Sequence, residues 1–170
     1  MLLGFALLYV GAVLFLNGLW LLGRIQDREI VVINIVSGVV TLSVAMASIF
    51  GDGADLATVK AGALTLLFTT TYLWVAYNRI VAVDGRGLGW FSLFVSVTAV
   101  PVALQSFAGI GSALDLWMAV NWSAWAVLWF MYFLLLALGR PILQTTGMVT
   151  LLMGIGTGWI PGFLLLEGVL

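Results

Sequence analysis

The chain contains no cysteine and no histidine. Without cysteine there is no disulfide and no thiolate metal site. Without histidine it lacks the commonest metal ligand, the commonest general base and the ordinary pH switch near neutrality. Charge is scarce too: 8% of 170 residues are charged, against 64% hydrophobic, and the mean hydropathy is +1.22. A soluble domain of this length needs more polar surface than that. The formal net charge of −1 says little about partners, and nothing suggests nucleic acid. What matters is that the charges cluster between long apolar runs.

A membrane helix needs about 20 mostly apolar residues. Six segments qualify, roughly Leu2–Gly23, Ile30–Phe50, Lys60–Val83, Leu88–Ala108, Trp117–Leu138 and Gln144–Leu166. The expected fold is therefore an all-α bundle of six transmembrane helices, with residues 1–170 as one domain. The connections Arg24–Glu29, Gly85–Gly87 and Gly139–Ile142 permit only hairpins, and the Gly51–Val59 link is too short for a domain. The first apolar run has no Lys or Arg before it, unlike a cleaved signal, and reads as a retained helix. Loops after the first, third and fifth helices carry Arg24, Arg28, Arg79, Arg86 and Arg140; the others carry only Lys60. The positive-inside rule then puts the odd-numbered loops in the cytoplasm and both termini outside.

Ionisable groups are missing from mid-membrane positions. Asp115, Lys60 and Glu167 fall at or near helix ends. Such groups, where present, mark proton relays and ion pathways, so their absence argues against a pump, a voltage sensor or a retinal protein. Uncharged polar residues do occur: Asn17, Thr69–Thr71, Asn78 and Gln105. Their bland reading is hydrogen bonding between helices. Gly4, Gly11 and Gly18 recur every seven residues, and Gly154, Gly158 and Gly162 every four, which predicts close-packed seams. Pro101 and Pro161 can kink the fourth and sixth helices, freeing carbonyls that need partners inside the protein.

Trp20, Trp90 and Trp117 suit an interfacial belt. Trp122, Trp125 and Trp129 do not, because they run through the fifth helix at i, i+3, i+7 on one face. Such a stripe can fill a core. It can equally wall a narrow slot for a flat neutral molecule, with indole N–H groups as donors, while ions meet a desolvation barrier.

Several ordered motifs resemble the AmiS/UreI family of urea and short-chain amide channels over essentially the whole chain. They are Leu7-Leu8-Tyr9-Val10-Gly11 through Asn17-Gly18, Thr71-Tyr72-Leu73 through Asn78, Trp90-Phe91-Ser92 to Val100-Pro101, Trp122 to Trp129, and Thr157-Gly158-Trp159-Ile160-Pro161. The resemblance implies six-helix protomers in a hexameric ring, each with its own pore. It implies passive flux of urea or small amides across the bacterial inner membrane toward a cytoplasmic amidase or urease, with no cofactor. Carried over, the pore wall includes Leu7, Val10 and Leu14 on the first helix, and Trp122, Trp125, Leu128 and Trp129 on the fifth. Departures from the acid-gated member are Thr70 and Trp74 where it has aromatic residues on the third helix, and Met153 at a buried acidic position. The histidine-rich outer loop of that member is reduced to Gly51–Val59, which favours the branch without imidazole acid gating.

A coupled secondary transporter of a small neutral metabolite is the alternative, and a non-transporting membrane subunit is a third reading. No paired base or metal-ligand cluster suggests an enzyme.

Overall fold

The computed structural model describes residues 1–170 and is entirely helical between its turns. Six helices are long and apolar enough to cross a membrane: α1 Leu2–Leu21, α2 Ile30–Phe50, α3 Leu56–Val81, α4 Arg86–Ala108, α5 Ala113–Ala137 and α6 Leu143–Leu166. Two of them change pitch. The last turn of α5, Phe133–Ala137, and a stretch inside α6, Gly154–Trp159, are wound as π-helix.

α3 and α5 start at Leu56 and Ala113, a turn before the expected Lys60 and Trp117, because polar caps precede the apolar runs. Asp55 caps α3: the Thr58 N–H donates to Asp55 Oδ1 at 2.8 Å, and the Asp55 N–H donates to Thr58 Oγ1 at 2.9 Å. This reciprocal box satisfies two donors at the helix start. Ser112 caps α5, accepting the Asp115 N–H at 3.1 Å and donating to Asp115 Oδ2 at 2.8 Å. The Thr58 backbone N–H holds the Asp55 carboxyl below the usual carboxylate range. A lowered folded-state pKa stabilises the fold above the unfolded value, and that gain is lost as pH falls through the lowered one. The Asp55 cap therefore holds throughout neutral and mildly acid conditions.

The helices form a ring in chain order, α6 returning to α1, with the pairs α1/α6, α2/α3 and α4/α5 packed most extensively. Large apolar side chains such as Val32, Phe94, Leu104 and Phe163 point outward, as lipid-facing residues do. Arg24, Arg28, Arg79, Arg86 and Arg140 gather at one end, where the α1–α2, α3–α4 and α5–α6 turns lie.

The α1/α6 seam is built from the two glycine series. A Cβ added at Gly11 would lie 2.3 Å from the Trp159 nitrogen, and one at Gly158 2.4 Å from the Gly11 Cα. An added Cβ would lie 2.5 Å from the partner backbone at Gly18, Gly154 and Gly162, and 2.9 Å from the Leu165 Cβ at Gly4. Only hydrogen fits in that contact, which lets dispersion act between two backbones.

Buried polar groups pair across helices. Asn17 and Asn34 exchange side-chain hydrogen bonds at 3.2 and 2.8 Å. Thr69 Oγ1 donates to Thr41 Oγ1 at 2.8 Å, and Ser96 Oγ to the Ala126 carbonyl at 2.8 Å. Gln105, by contrast, sits at the surface and accepts from Lys60 Nζ at 2.6 Å.

Gly11→Ala should destabilise the protein by about 1–3 kcal/mol, because the seam cannot admit a methyl group without shifting backbone. Gly156→Ala, which meets nothing within 4 Å, should leave the thermal unfolding midpoint in detergent near wild type. Equal midpoints for both variants would remove the seam's special role.

Candidate permeation pathway

Pro161 has no N–H, so the Thr157 carbonyl four residues earlier has lost its ordinary helical donor. Asn121 of α5 supplies one, its Nδ2 donating to the Thr157 oxygen at 2.9 Å. Trp117 Nε1 donates to the Gly156 carbonyl at 3.0 Å in the same turn. The wide turn also presents the Thr157 side chain to α5. Thr157 Oγ1 donates to the Met153 carbonyl at 2.6 Å and accepts from Trp125 Nε1 at 2.9 Å. One break in α6 thereby sets the orientation of a tryptophan on α5.

Trp125 belongs to an aromatic cluster centred on Phe68 of α3. The Phe68 ring lies 4.8 Å from Trp125, 4.6 Å from Trp129 and 6.0 Å from Trp122, each nearly edge-on. Trp122 and Trp125 are 5.1 Å apart at 85°. Edge-to-face pairs add about 0.5–1.5 kcal/mol each beyond burial. Trp129 Nε1 donates to Thr71 Oγ1 at 3.3 Å, tying α5 to α3.

Around this cluster four cavities run end to end through the protomer. At the end opposite the arginines, a cavity of about 60 Å³ is lined by Leu7, Val10, Thr41, Phe68, Trp122 and Trp125 among others. Phe68 and Trp125 separate it from a second of about 30 Å³, walled also by Leu14, Tyr72, Leu128, Trp129 and Tyr132. Val75, Leu88 and Tyr132 divide the second from a third, again about 30 Å³, reaching Asn78 and Arg79. Trp20, Leu21, Arg79 and Leu136 are shared with the fourth, an open mouth of about 380 Å³ bordered by Asp27 and Asp84. The file carries no charged side chain between Leu7 and Tyr132. Its inner two cavities are each large enough for water, which needs roughly 10–15 Å³.

The arrangement places the sequence-derived residues unequally. Leu7, Val10 and Leu14 line the first two cavities, as do Trp122, Trp125, Leu128 and Trp129. Thr70 does not: it is exposed on the outer side of α3 and bonds the Leu66 carbonyl of its own helix at 2.8 Å. Trp74 packs tilted against Phe91, ring centres 5.6 Å apart, and covers Gly87, outside all four cavities. Met153 packs beside the core without lining the file. The α3 residues that do face it are Phe68, Thr71, Tyr72 and Val75, then Asn78 and Arg79. Thr70 and Trp74 each follow an aromatic, Phe68 and Tyr72, by two positions, which is about 200° around a helix. The third helix therefore does present aromatic residues to the slot, in a different register. An apolar spacing of 68, 72 and 75 was the available signal.

A second correction concerns hydrogen bonding. The sequence suggested indole N–H groups as donors to a solute, but Trp125 and Trp129 spend theirs on Thr157 and Thr71. The polar atoms buried without a partner beside the file are Tyr72 Oη, Asn78 Oδ1 and Arg79 Nε.

With this geometry in view, comparison with known proteins is decisive. Residues 2–169 match the AmiS/UreI family of transporters. The chain belongs to that family. A protein of Mycolicibacterium smegmatis named for the transport of amidate substrates is 42% identical over 166 residues, covering 97% of this chain and 76% of the relative. The acid-activated urea channel of Helicobacter pylori strain J99 is 33% identical, covering 96% of each chain. The cryo-EM structure of the H. pylori urea channel in its closed state superposes with a TM-score of 0.87 at 33% identity, over 97% of each chain. The crystal structure of that channel gives 0.84 at 31%, over 99% of this chain and 98% of the other.

Thr157→Val should cost about 1–3 kcal/mol, since it strands the buried Trp125 N–H. The indole emission of the variant should shift relative to a Thr70→Val control, whose hydroxyl serves only its own helix. Identical spectra and midpoints for both would show that Thr157 does not hold Trp125.

Proposed function

We propose that the protein is a passive channel for urea and short-chain aliphatic amides in the bacterial inner membrane, without histidine-based acid gating. The observation that carries this reading is the file of cavities through a single protomer, narrowed at its centre by Phe68, Trp125 and Trp129. A flat uncharged solute can pass between ring faces and edges that exclude a hydrated ion, because nothing in that wall replaces an ion's water. The names of the Mycolicibacterium and Helicobacter relatives support amides and urea as the substrate class. The arginine-bearing end is the cytoplasmic one by the positive-inside rule, leaving both termini outside. Solute arriving there supplies a cytoplasmic amidase or urease.

Protomers of this kind assemble as a homohexamer in lipid, each with its own pore. The large apolar groove of about 460 Å³ beside Tyr9, Phe15 and Trp159 lies on the outer side of the α1/α6 seam and so outside the proposed pore.

Stopped-flow light scattering on proteoliposomes tests the reading. Acetamide and urea should enter much faster than into empty liposomes, in proportion to concentration, with glycerol excluded. Flux that saturates and follows a proton or sodium gradient would point instead to a coupled transporter. Trp125→Ala should change the ratio of acetamide to urea flux in a protein that still folds; an unchanged ratio would take Trp125 out of the pore.

Flux should also stay constant between about pH 5 and 8. There is no imidazole to titrate in that window. The carboxyl of Asp84, at the arginine-bearing mouth, is held below the usual carboxylate range by the Arg86 backbone N–H, so it remains ionised throughout. A steep rise in flux on acidification would contradict the ungated reading.

A further inference from the structure

Beyond the aromatic centre, the third cavity ends at two adjacent α3 residues whose polar atoms have nothing to bond. Asn78 is 3% exposed, and its Oδ1 is buried without a partner. Arg79 Nε is likewise buried and unpaired. Both residues line that cavity, together with Val75, Leu88, Gly85 and Tyr132.

The remainder of the Arg79 side chain is anchored elsewhere. Its Nη1 faces Asp27 Oδ2 at 3.5 Å, its Nη2 donates to the Val83 carbonyl at 3.5 Å, and the guanidinium lies 5.3 Å from the Trp20 ring centre. Trp20 is itself fixed, donating from Nε1 to Asp27 Oδ1 at 2.7 Å. Asp27 thus ties the α1–α2 turn to the end of α3. The guanidinium is held by its two outer nitrogens while the Nε edge is left over. A guanidinium is a planar fork that cannot lose its proton, so an unused edge is a standing donor. Asn78 Oδ1, on the preceding residue and lining the same cavity, is a standing acceptor.

We propose that this cavity is an amide-recognition subsite at the inner end of the pore: Asn78 Oδ1 accepts an N–H of the solute and Arg79 Nε donates to its carbonyl. The inference rests on the channel reading above and names where the solute first regains polar partners. Urea and primary amides carry both a donor and an acceptor, one for each orphaned atom. A carboxylate would bring a second acceptor against Asn78 Oδ1, and a solute with a carbonyl alone would leave that atom unsatisfied. Between solutes, water can fill the pair of bonds. Exchange of water for amide then keeps the number of hydrogen bonds constant, which lowers the barrier for leaving the aromatic slot.

The test compares permeabilities to acetamide and to water in proteoliposomes of wild type, Asn78→Leu and Arg79→Lys. Leucine removes the acceptor at similar volume. Lysine keeps the charge facing Asp27 but lacks the Nε donor, so it decides the matter if the leucine variant does not assemble. In each variant the acetamide-to-water permeability ratio should fall about three- to tenfold, the loss of one hydrogen bond. Fast wild-type acetamide flux with unchanged ratios in the variants would overturn the subsite alone. Wild-type flux at the level of empty liposomes would overturn the channel reading and the subsite with it.

Discussion

The backbone contact between α1 and α6 is the constraint on which the other features hang. Gly11 and Gly158 meet where no side chain fits, so α6 is pressed flat against α1 along its length. Within that contact α6 still has to accommodate Pro161, and it does so by widening into the turn Gly154–Trp159. The widened turn offers carbonyls and the Thr157 hydroxyl to α5, where Trp117, Asn121 and Trp125 receive them. In a membrane these groups have no water to fall back on. A break in one helix is therefore satisfied only by a fixed neighbour, and the neighbour's fixed rings wall the file between its first two cavities.

The same economy of polar groups separates a rigid wall from a responsive one. Asn17 with Asn34, Thr69 with Thr41, and Tyr132 with Thr150 are paired within the protein. They lock helices together and have little left to offer a solute. Tyr72 Oη in the middle cavity and the Asn78 and Arg79 atoms in the inner one are unpaired. An unsatisfied buried donor or acceptor is costly; three such side-chain atoms line the file, while Asn121 Oδ1 and Thr146 Oγ1 are unpartnered away from it.

Much of the architecture was legible in the sequence. Runs of apolar residues can only be spans, and glycine at intervals of seven and four can only be a close seam; α1 and α6 use all six of those glycines against each other. The i, i+3, i+7 spacing puts Trp122, Trp125 and Trp129 on one face of α5, and all three rings pack against Phe68. The register of α3 was less accessible. That helix carries apolar residues all round, facing lipid on one side and the slot on the other, so hydropathy contains no preferred face. The family resemblance points to Thr70 and Trp74, whereas Phe68 and Tyr72 line the cavities. The indole donors were misjudged for a different reason. Their acceptors, Thr71 and Thr157, lie 58 and 32 residues away in the chain.

By itself, the sequence determined that this is a six-span membrane bundle, which end gathers the arginines, which helix faces carry small residues for a close seam, and that no imidazole or thiolate chemistry is available. These properties depend on composition and local period, because a lipid environment rewards apolar length and small-residue spacing directly. Only the tertiary structure decided which side chains share the path through the protomer and which of their polar atoms remain free. That depends on pairings between helices distant in the chain, where one hydroxyl from α6 decides whether an indole on α5 is a donor to solute or a fixed part of the wall.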